Sequence, residues 1–548
     1  MDRLAPRSVA GLAAIAGSLS VIAALIIRYV FAVPMPAELF GDQATTRIPL
    51  PLFEALLTTF GPLAKHLYLV GALVAEAALT AAAGLGYVGI RRLFIRRAGL
   101  PANPQVLAWV EAPIVAIGLW LLSALILSPL VGGGIFEIGM LGGPTGALLS
   151  QVTPYAVFAL AFVWQARAQS GPDSAAQSNS GREPIVTRRM LLRQSVAAVG
   201  LIGVGIGLWE ALTNGFGAAF GAGPSQNARP TLALGAIPER ITPPPTPVYE
   251  AWTEIAGQTS EVTTAANFYY VSKNLAADPS LAAAAWTLNI TGMVDRPYPL
   301  TLDQLQHLPG VSQYHTLECI SNEVGGNLMS NGLFVGAQLA SVLNLAGIQP
   351  GATQVTFVAA DGYSDSLHLA QALDERSLIA YRLDGAPLPQ PHGFPARLLI
   401  PGLYGMKNGK WLTELRVGSG DYAGYWEQRG WTSVAAVKLM SRIDTPHDGD
   451  LLVAAPSSIA GVAYSGAQGI ARVDVSVDAG RTWSAANMRR PLGALTWTLW
   501  EYPWLPTPGE HIIVARAIDL EGRVQSPLVA PPLPDGSSGY HAITVTVR

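Results

Sequence analysis

The stretch Tyr314–Glu323, YHTLECISNE, carries Cys319, the one cysteine among 548 residues. It alternates like a strand up to the cysteine. It then turns through Ser321, Asn322, Glu323, Val324, Gly325 and Gly326. A chain with a single thiol has no intramolecular disulfide framework. Cys319 is therefore either a buried small hydrophobe or a thiol that a ligand protects.

Outward from this stretch, residues 251–443 mix helix and strand periods. WTLNITGMV (286–294) alternates as a strand, and LTLDQLQHLPG (300–310) predicts a short helix stopped by Gly310. VGAQLASVLNLAG (335–347) predicts a helix closed by Gly347. TQVTFVAADG, FPARLLIPGLYG and WLTELRVGSG predict strands, and SLHLAQAL leads into a further helix. Residues 444–548 read as all-β, with short strands such as ARVDVSV, LTWTLWEY and HAITVTVR. Their spacing predicts a sandwich of immunoglobulin-like type.

The first part of the chain is different. Half of all residues are hydrophobic and 13% are charged, and the long apolar runs lie before about residue 215. Five runs are long enough to cross a bilayer: roughly 9–33, 63–90, 106–131, 145–164 and 190–212. Lys and Arg gather before the first span (Arg3, Arg7), after the second (Arg91, Arg92, Arg96, Arg97) and between the fourth and fifth. This bias predicts a cytoplasmic amino terminus and, after five crossings, an extracytoplasmic remainder. The expected layout is a four-helix transmembrane region (1–166), a cytoplasmic linker (167–189), a fifth helix (190–213) and a Gly/Ala/Pro-rich linker (214–250). Thr187-Arg188-Arg189-Met190-Leu191-Leu192-Arg193 fits either a twin-arginine export signal or an ordinary positive-inside flank. Glu76 falls near the middle of the second span, where a carboxylate is functional or hydrogen-bonded to a neighbour. A net charge of -3 argues against a nucleic-acid partner.

Four motifs follow one another in the second half. They are ANFYYVSKN (266–274), TLECISNE (316–323), HGFPARLLIPG with YGMKNGKWL (392–402 and 404–412), and ARVDVSVDAGRTW (471–483). In order and spacing they resemble the sulfite oxidase family of molybdenum-cofactor enzymes, over about residues 252–548. The resemblance does not cover the N-terminal α-helical transmembrane bundle, which rests on the apolar runs alone. For the remainder it implies a mixed α+β molybdopterin-binding domain of sulfite-oxidase type followed by an all-β immunoglobulin-like sandwich of the dimerisation type.

It also implies that Cys319 binds molybdenum, a soft thiolate on a soft metal. Asn267, Tyr269 and Tyr270 would line the cofactor pocket, with Asp361 hydrogen-bonding the pterin. His392 and Arg397 would hold the cofactor, and Asn408, Gly409 and Lys410 would cradle its phosphate. Beside the metal the chain departs from the sulfite-oxidising members. Lys273 and Lys407 stand where they carry arginine, and Trp431 stands where they carry a tyrosine. Tyr422 or Tyr425 could supply the missing hydroxyl. Lysine is a point charge where arginine is a fork, so the pocket is expected to stay cationic without a bidentate grip.

The implied reaction is a two-electron oxygen-atom transfer on a small oxyanion or sulfur compound. The expected partners are the substrate, membrane lipid, an external cytochrome or quinone-linked electron carrier, and a second copy as a homodimer. His66 is the only histidine before His307 and no CxxCH is present, so no haem is expected in the chain. Reduction of S-oxides such as methionine sulfoxide, and a non-catalytic membrane-tethered binding protein, remain alternatives.

Overall fold

The computed structural model describes residues 6–31, 35, 63–98, 114–121, 152–163, 255–274 and 278–548. The chain divides into two compact units, Met1–Pro224 with Asn274–Ser280, and Ser225–Lys273 with Leu281–Arg548.

In the first unit, Pro6–Phe31 and Leu63–Ala98 form helices of 26 and 36 residues. They pack closely. A Cβ on Gly17 would lie 2.7 Å from the Ala77 carbonyl and 2.9 Å from the Thr80 hydroxyl. Ser20 Oγ donates to the Pro154 carbonyl at 2.9 Å, and Phe158 stacks on Phe162. Windows Gly11–Arg28 and Val70–Val88 are long and apolar enough to cross a membrane, with mean hydropathy 2.0 and 1.4. The third and fourth predicted spans are described only as helix at 114–121 and Val152–Val163. The fifth span and the Arg188-Arg189 motif lie outside the described residues. Glu76 is buried.

The second unit begins with two sheets. One has the order β2-β1-β10-β5-β6, from Tyr298–Thr301, Thr287–Gly292, Leu412–Gly418, Gln354–Ala359 and Ser364–His368. The other runs β3 (Gly310–Glu318), β4 (Met329–Gln338), β7 (Leu378–Leu383) and β8 (Ala386–Pro387), with β9 (Arg397–Leu399) also paired to β7. β1 shows why the pattern was readable: Leu288 and Ile290 alternate inward with Thr287, Asn289 and Thr291 less buried. They join Val355, Phe357, Leu415 and Val417 in one core with Ala337, Val342 and Ile379. The helix Leu302–His307 starts on a capping box between Thr301 and Gln304. It ends before Pro309, and Gly310 opens β3 instead of stopping the helix. In 335–347 only Leu339–Ala346 is helical. Its cap Gly347 has φ +73°, and Val335–Gln338 finishes β4.

Residues 440–548 form two further sheets. One is β11-β13-β17-β16 (Met440–Thr445, Ser457–Tyr464, Thr498–Trp504, Asn487–Met488). The other is β12-β19-β18-β14-β15 (Leu451–Leu452, His541–Val547, Gly509–Asp519, Ile470–Ser476, Ser484–Ala485). Their inner faces share a core of Ile443, Val473, Trp500, Ile513 and Ile543, so the region is a β-sandwich. β11 pairs with β13 and belongs to these sheets, and it begins four residues ahead of residue 444. The sandwich is joined to β4 through a cluster in which Met329 meets Val462, Tyr464, Trp497 and Leu499. Tyr464 donates its hydroxyl to the Thr316 carbonyl at 2.8 Å.

Tyr464→Phe removes that donor and leaves a buried carbonyl short of a partner. The expected cost is about 1–2 kcal/mol, a fall of about 2–4 °C in the melting transition of a domain this size. Circular dichroism of the purified full chain measures it, and an unchanged melting temperature would show that the contact carries no stability.

Candidate active site

Cys319 follows the last residue of β3. Its N–H donates to the Leu328 carbonyl at 2.9 Å and closes the loop that the next strand follows. Inside the loop the Asn322 N–H donates to the Cys319 carbonyl. The Asn322 side chain donates to Glu318 Oε1 at 3.0 Å and accepts the Leu328 N–H at 2.9 Å. The thiol is half-buried, with Sγ 3.0 Å from Ser321 Oγ. Burial pushes its pKa up, while the Ser321 hydrogen bonds and the charge of Lys410 act against the rise. Glu318 is buried, and burial lifts its carboxyl to about 7 against the opposing Asn322 hydrogen bond and Arg442 charge. Its Oε2 has no hydrogen-bond partner.

Three segments converge on this loop. The first is 267–271. Tyr269 N–H donates to Ser330 Oγ at 2.9 Å, and the ring stacks on Phe268. Burial, then the neighbouring Cys319 sulfur, raises the Tyr269 phenol far above its ordinary range. The second is the turn at Gly405. A Cβ there would lie 2.6 Å from the Tyr269 hydroxyl, 3.4 Å from the Glu318 carbonyl and 3.9 Å from Cys319 Cα. Glycine is what allows backbone, phenol and cysteine to approach so closely. Sequence reading did not single out this residue, although it sits within YGMKNGKWL.

The third segment carries Arg397. Its guanidinium is buried and donates to the His392 carbonyl at 3.2 Å and the Asn408 carbonyl at 3.0 Å. Nε has no partner, and no carboxylate pairs with it among the described residues. Burial without a counter-ion lowers its pKa to about 10. His392 is buried beside Phe268, with ring centroids 5.5 Å apart. Lys410 Nζ donates to the carbonyls of Val271 and Pro391, both at 3.0 Å, and lies over the Tyr270 and Trp411 rings. The Asn408 side chain staples its own loop, accepting the Ile400 N–H and donating to the Leu403 and Tyr404 carbonyls. Gly409 packs against the Phe357 ring with no room for a Cβ.

Of the remaining residues read from sequence, Asn267 is exposed and donates its N–H to Thr264. Tyr270 is 46% exposed. Asp361 Oδ1 accepts the Tyr363 N–H at 2.9 Å, turning the chain at Asp361-Gly362.

Lys407 differs from expectation. It is buried, and Nζ donates to Asp365 Oδ1 at 2.6 Å, Glu427 Oε1 at 2.6 Å and the Ser366 carbonyl at 3.0 Å. Three N–H donors thus meet three acceptors, and the ammonium holds a buried ion-pair cluster instead of facing the cysteine. Two residues of that cluster, Asp365 and Glu427, were not read from sequence, because a carboxylate announces a buried lysine only once the fold brings them together. Tyr422 donates to Ser364 Oγ at 2.8 Å on the same hairpin. Lys273 Nζ lies 5.0 Å from the Tyr425 ring centre, and the Arg429 guanidinium lies 3.4 Å from it. Trp431 packs with Ile320, Tyr404 and Met406 in an apolar cluster next to the cysteine loop.

Residues 275–426 match the oxidoreductase molybdopterin binding domain, and residues 432–530 match the Mo-co oxidoreductase dimerisation domain. The mitochondrial sulfite oxidase of Homo sapiens is 31% identical over 315 residues, 48% of this chain and 58% of that protein. The NADH nitrate reductase of Ulva prolifera is 31% identical over 292 residues, 42% of this chain and 34% of that protein. The chain thus spans a little over half the length of the mitochondrial sulfite oxidases it matches. Among solved structures, the sulfane dehydrogenase SoxCD from Paracoccus pantotrophus is 22% identical with a TM-score of 0.46, over 53% of this chain and 84% of that one.

His315, buried on β3, gives a pH test of this region. Burial, then the charges of Arg397 and Arg376, lowers its pKa from 6.5 to about 3. Between those values the unfolded chain binds a proton that the folded chain excludes. Stability attributable to His315 is therefore complete above pH 6.5 and falls as the pH drops toward 3, by at most about 1.4 kcal/mol per pH unit. In protein made without molybdenum, His315→Gln is expected to flatten the dependence of the urea midpoint below pH 6.5. Parallel curves for the two proteins would place the acid sensitivity elsewhere.

Proposed function

Because the chain belongs to the sulfite oxidase family of molybdenum-cofactor enzymes, we propose that it is a membrane-anchored oxidoreductase. It transfers oxygen to or from a small oxyanion or sulfur compound and exchanges electrons with an external carrier. The observation that carries this reading is Arg397, a buried guanidinium with no carboxylate partner among the described residues, near the loop of the chain's only thiol. A buried cation without a counter-ion is costly, and an anionic phosphate supplies the missing charge in a geometry that suits an arginine fork.

The residues present fit a molybdopterin. Cys319 offers one soft ligand. Among the described residues no group of three or more His, Cys, Asp or Glu side chains could hold a metal by itself, which suits a metal that the cofactor would bring with it. When bound, that cofactor supplies two-electron oxygen-atom exchange. Arg397 and Lys410 would hold its anionic group, near the His392 and Phe268 rings, which pack against each other. Tyr269 keeps its proton and offers a hydroxyl at the cysteine. Lys273, set against Tyr425, provides cationic character for an anionic substrate, and Lys407 braces the loop that carries Gly405. The apolar wall at Trp431 and the lysine at 273 favour a substrate that needs no bidentate grip.

Two helices of membrane-crossing length support anchoring. We read the basic flanks as placing the amino terminus in the cytoplasm and the catalytic part outside. The match to a dimerisation domain supports a homodimer.

Protein matured in a host that makes the cofactor is expected to carry stoichiometric molybdenum. Arg397→Gln is expected to lower it about tenfold or more, the worth of a lost charged hydrogen bond. Cys319→Ser is expected to abolish turnover while the melting temperature holds, because a hydroxyl is a harder and more basic ligand than a thiolate. Absence of molybdenum from the wild type by elemental analysis would end this reading.

Topology has its own test. Arg188→Lys with Arg189→Lys keeps the charge, so it strands the catalytic part inside only if the pair is an export signal. Protease accessibility of the catalytic part in spheroplasts is expected to be lost in this variant. Unchanged accessibility would reduce the pair to a positive-inside flank.

A further inference from the structure

The loop from Cys319 to Leu328 is held on its outer side by residues from the C-terminal sandwich. Ser537 Oγ donates to the Asn322 carbonyl at 2.7 Å. The His541 ring packs on Gly325, whose φ is +79° and which has no room for a Cβ. Arg442 on β11 donates Nη1 to the Gly326 carbonyl at 2.8 Å, Nη2 to Thr259 Oγ1 at 2.7 Å and Nε to Asp444 Oδ1 at 2.6 Å. Asp444 Oδ2 accepts the Thr259 N–H at 3.0 Å, and His541 Nδ1 accepts the Ile443 N–H at 3.0 Å. One buried guanidinium therefore ties a sandwich strand, the segment leading to Asn267 and the cysteine loop into one network.

We propose that Arg442 is a positioning residue for Cys319. Through Gly326 it sets where the loop, and with it the thiol, stands, so that the C-terminal domain tunes the metal ligand it does not touch. The claim that the thiol meets molybdenum rests on the functional reading above, but the positioning of the thiol does not. A lysine at 442 keeps the charge and reaches fewer of the three acceptors. Its loss is felt where the third bond was, at the loop.

The single cysteine makes the test specific, because every alkylation event reports Cys319. In molybdenum-free full-length protein, Arg442→Lys is expected to speed alkylation by iodoacetamide about tenfold or more, the factor by which losing a charged hydrogen bond shifts a local opening equilibrium. Arg489→Met is the control. It cuts a different tie to the sandwich, the Arg489–Glu261 ion pair at 3.0 Å, and is expected to leave the rate within about twofold. In loaded protein, Arg442→Lys is expected to change the electron paramagnetic resonance spectrum of the reduced metal centre, with Arg489→Met matching wild type. Where Arg442→Lys does not accumulate, Ser537→Ala loosens the same loop at another point and is expected to move the rate in the same direction. Wild-type alkylation in whichever of these two variants folds, or an equal acceleration in Arg489→Met, overturns the proposal. Absence of molybdenum from the wild type overturns the functional reading and leaves the alkylation result standing.

Discussion

Thr316 is bonded at every polar atom it has. Its N–H donates to the Leu495 carbonyl, and its carbonyl accepts the Tyr464 hydroxyl. Its own hydroxyl donates to Asn331 and accepts the Trp497 N–H. It is buried, so each of these groups would be costly without its partner. This one residue fixes the end of β3 against β4 and against the sandwich together. Cys319 lies three residues further on, where the strand can no longer shift, and the rest of the site is arranged around that fixed end.

Around it the charges fall into two groups of opposite design. Lys407, Asp365 and Glu427 answer one another internally and lock the hairpin after β5 to the loops at 405–408 and 424–431. Arg397 has only carbonyl partners among the described residues, and no carboxylate there answers its charge. The first group costs its desolvation and secures geometry. The second keeps a buried positive charge that its carbonyl partners only partly offset. Both centre on a buried lysine or arginine within the 392–412 stretch, and only their partners tell them apart.

That difference also explains what was legible in the sequence. Cys319 and Arg397 stand out in the sequence because one is unique in composition and the other sits in a motif of fixed order. β1 and the helix after Thr301 were readable because alternation and capping are local. β4 and β7 were not, because MSNGLFVGAQ and LIAYRL are covered on both faces and lose the period-2 signal. Lys407 was read as a pocket cation because its carboxylates are 42 and 20 residues away along the chain. Arg442 carried no signal, since its acceptor at Gly326 is 116 residues upstream and is a backbone carbonyl.

The distance in sequence between the cysteine loop and its clamps has a bearing on biosynthesis. Ser537 stands 215 residues beyond the Asn322 carbonyl it binds. During translation the thiol, the Arg397 cradle and both sheets around them are complete well before the strand that bears His541 has emerged. The loop therefore lacks its tie to Ser537 throughout that interval and gains it only when the C-terminal sandwich docks. The order of the domains along the chain thus makes the cysteine loop one of the last parts of the site to be fastened.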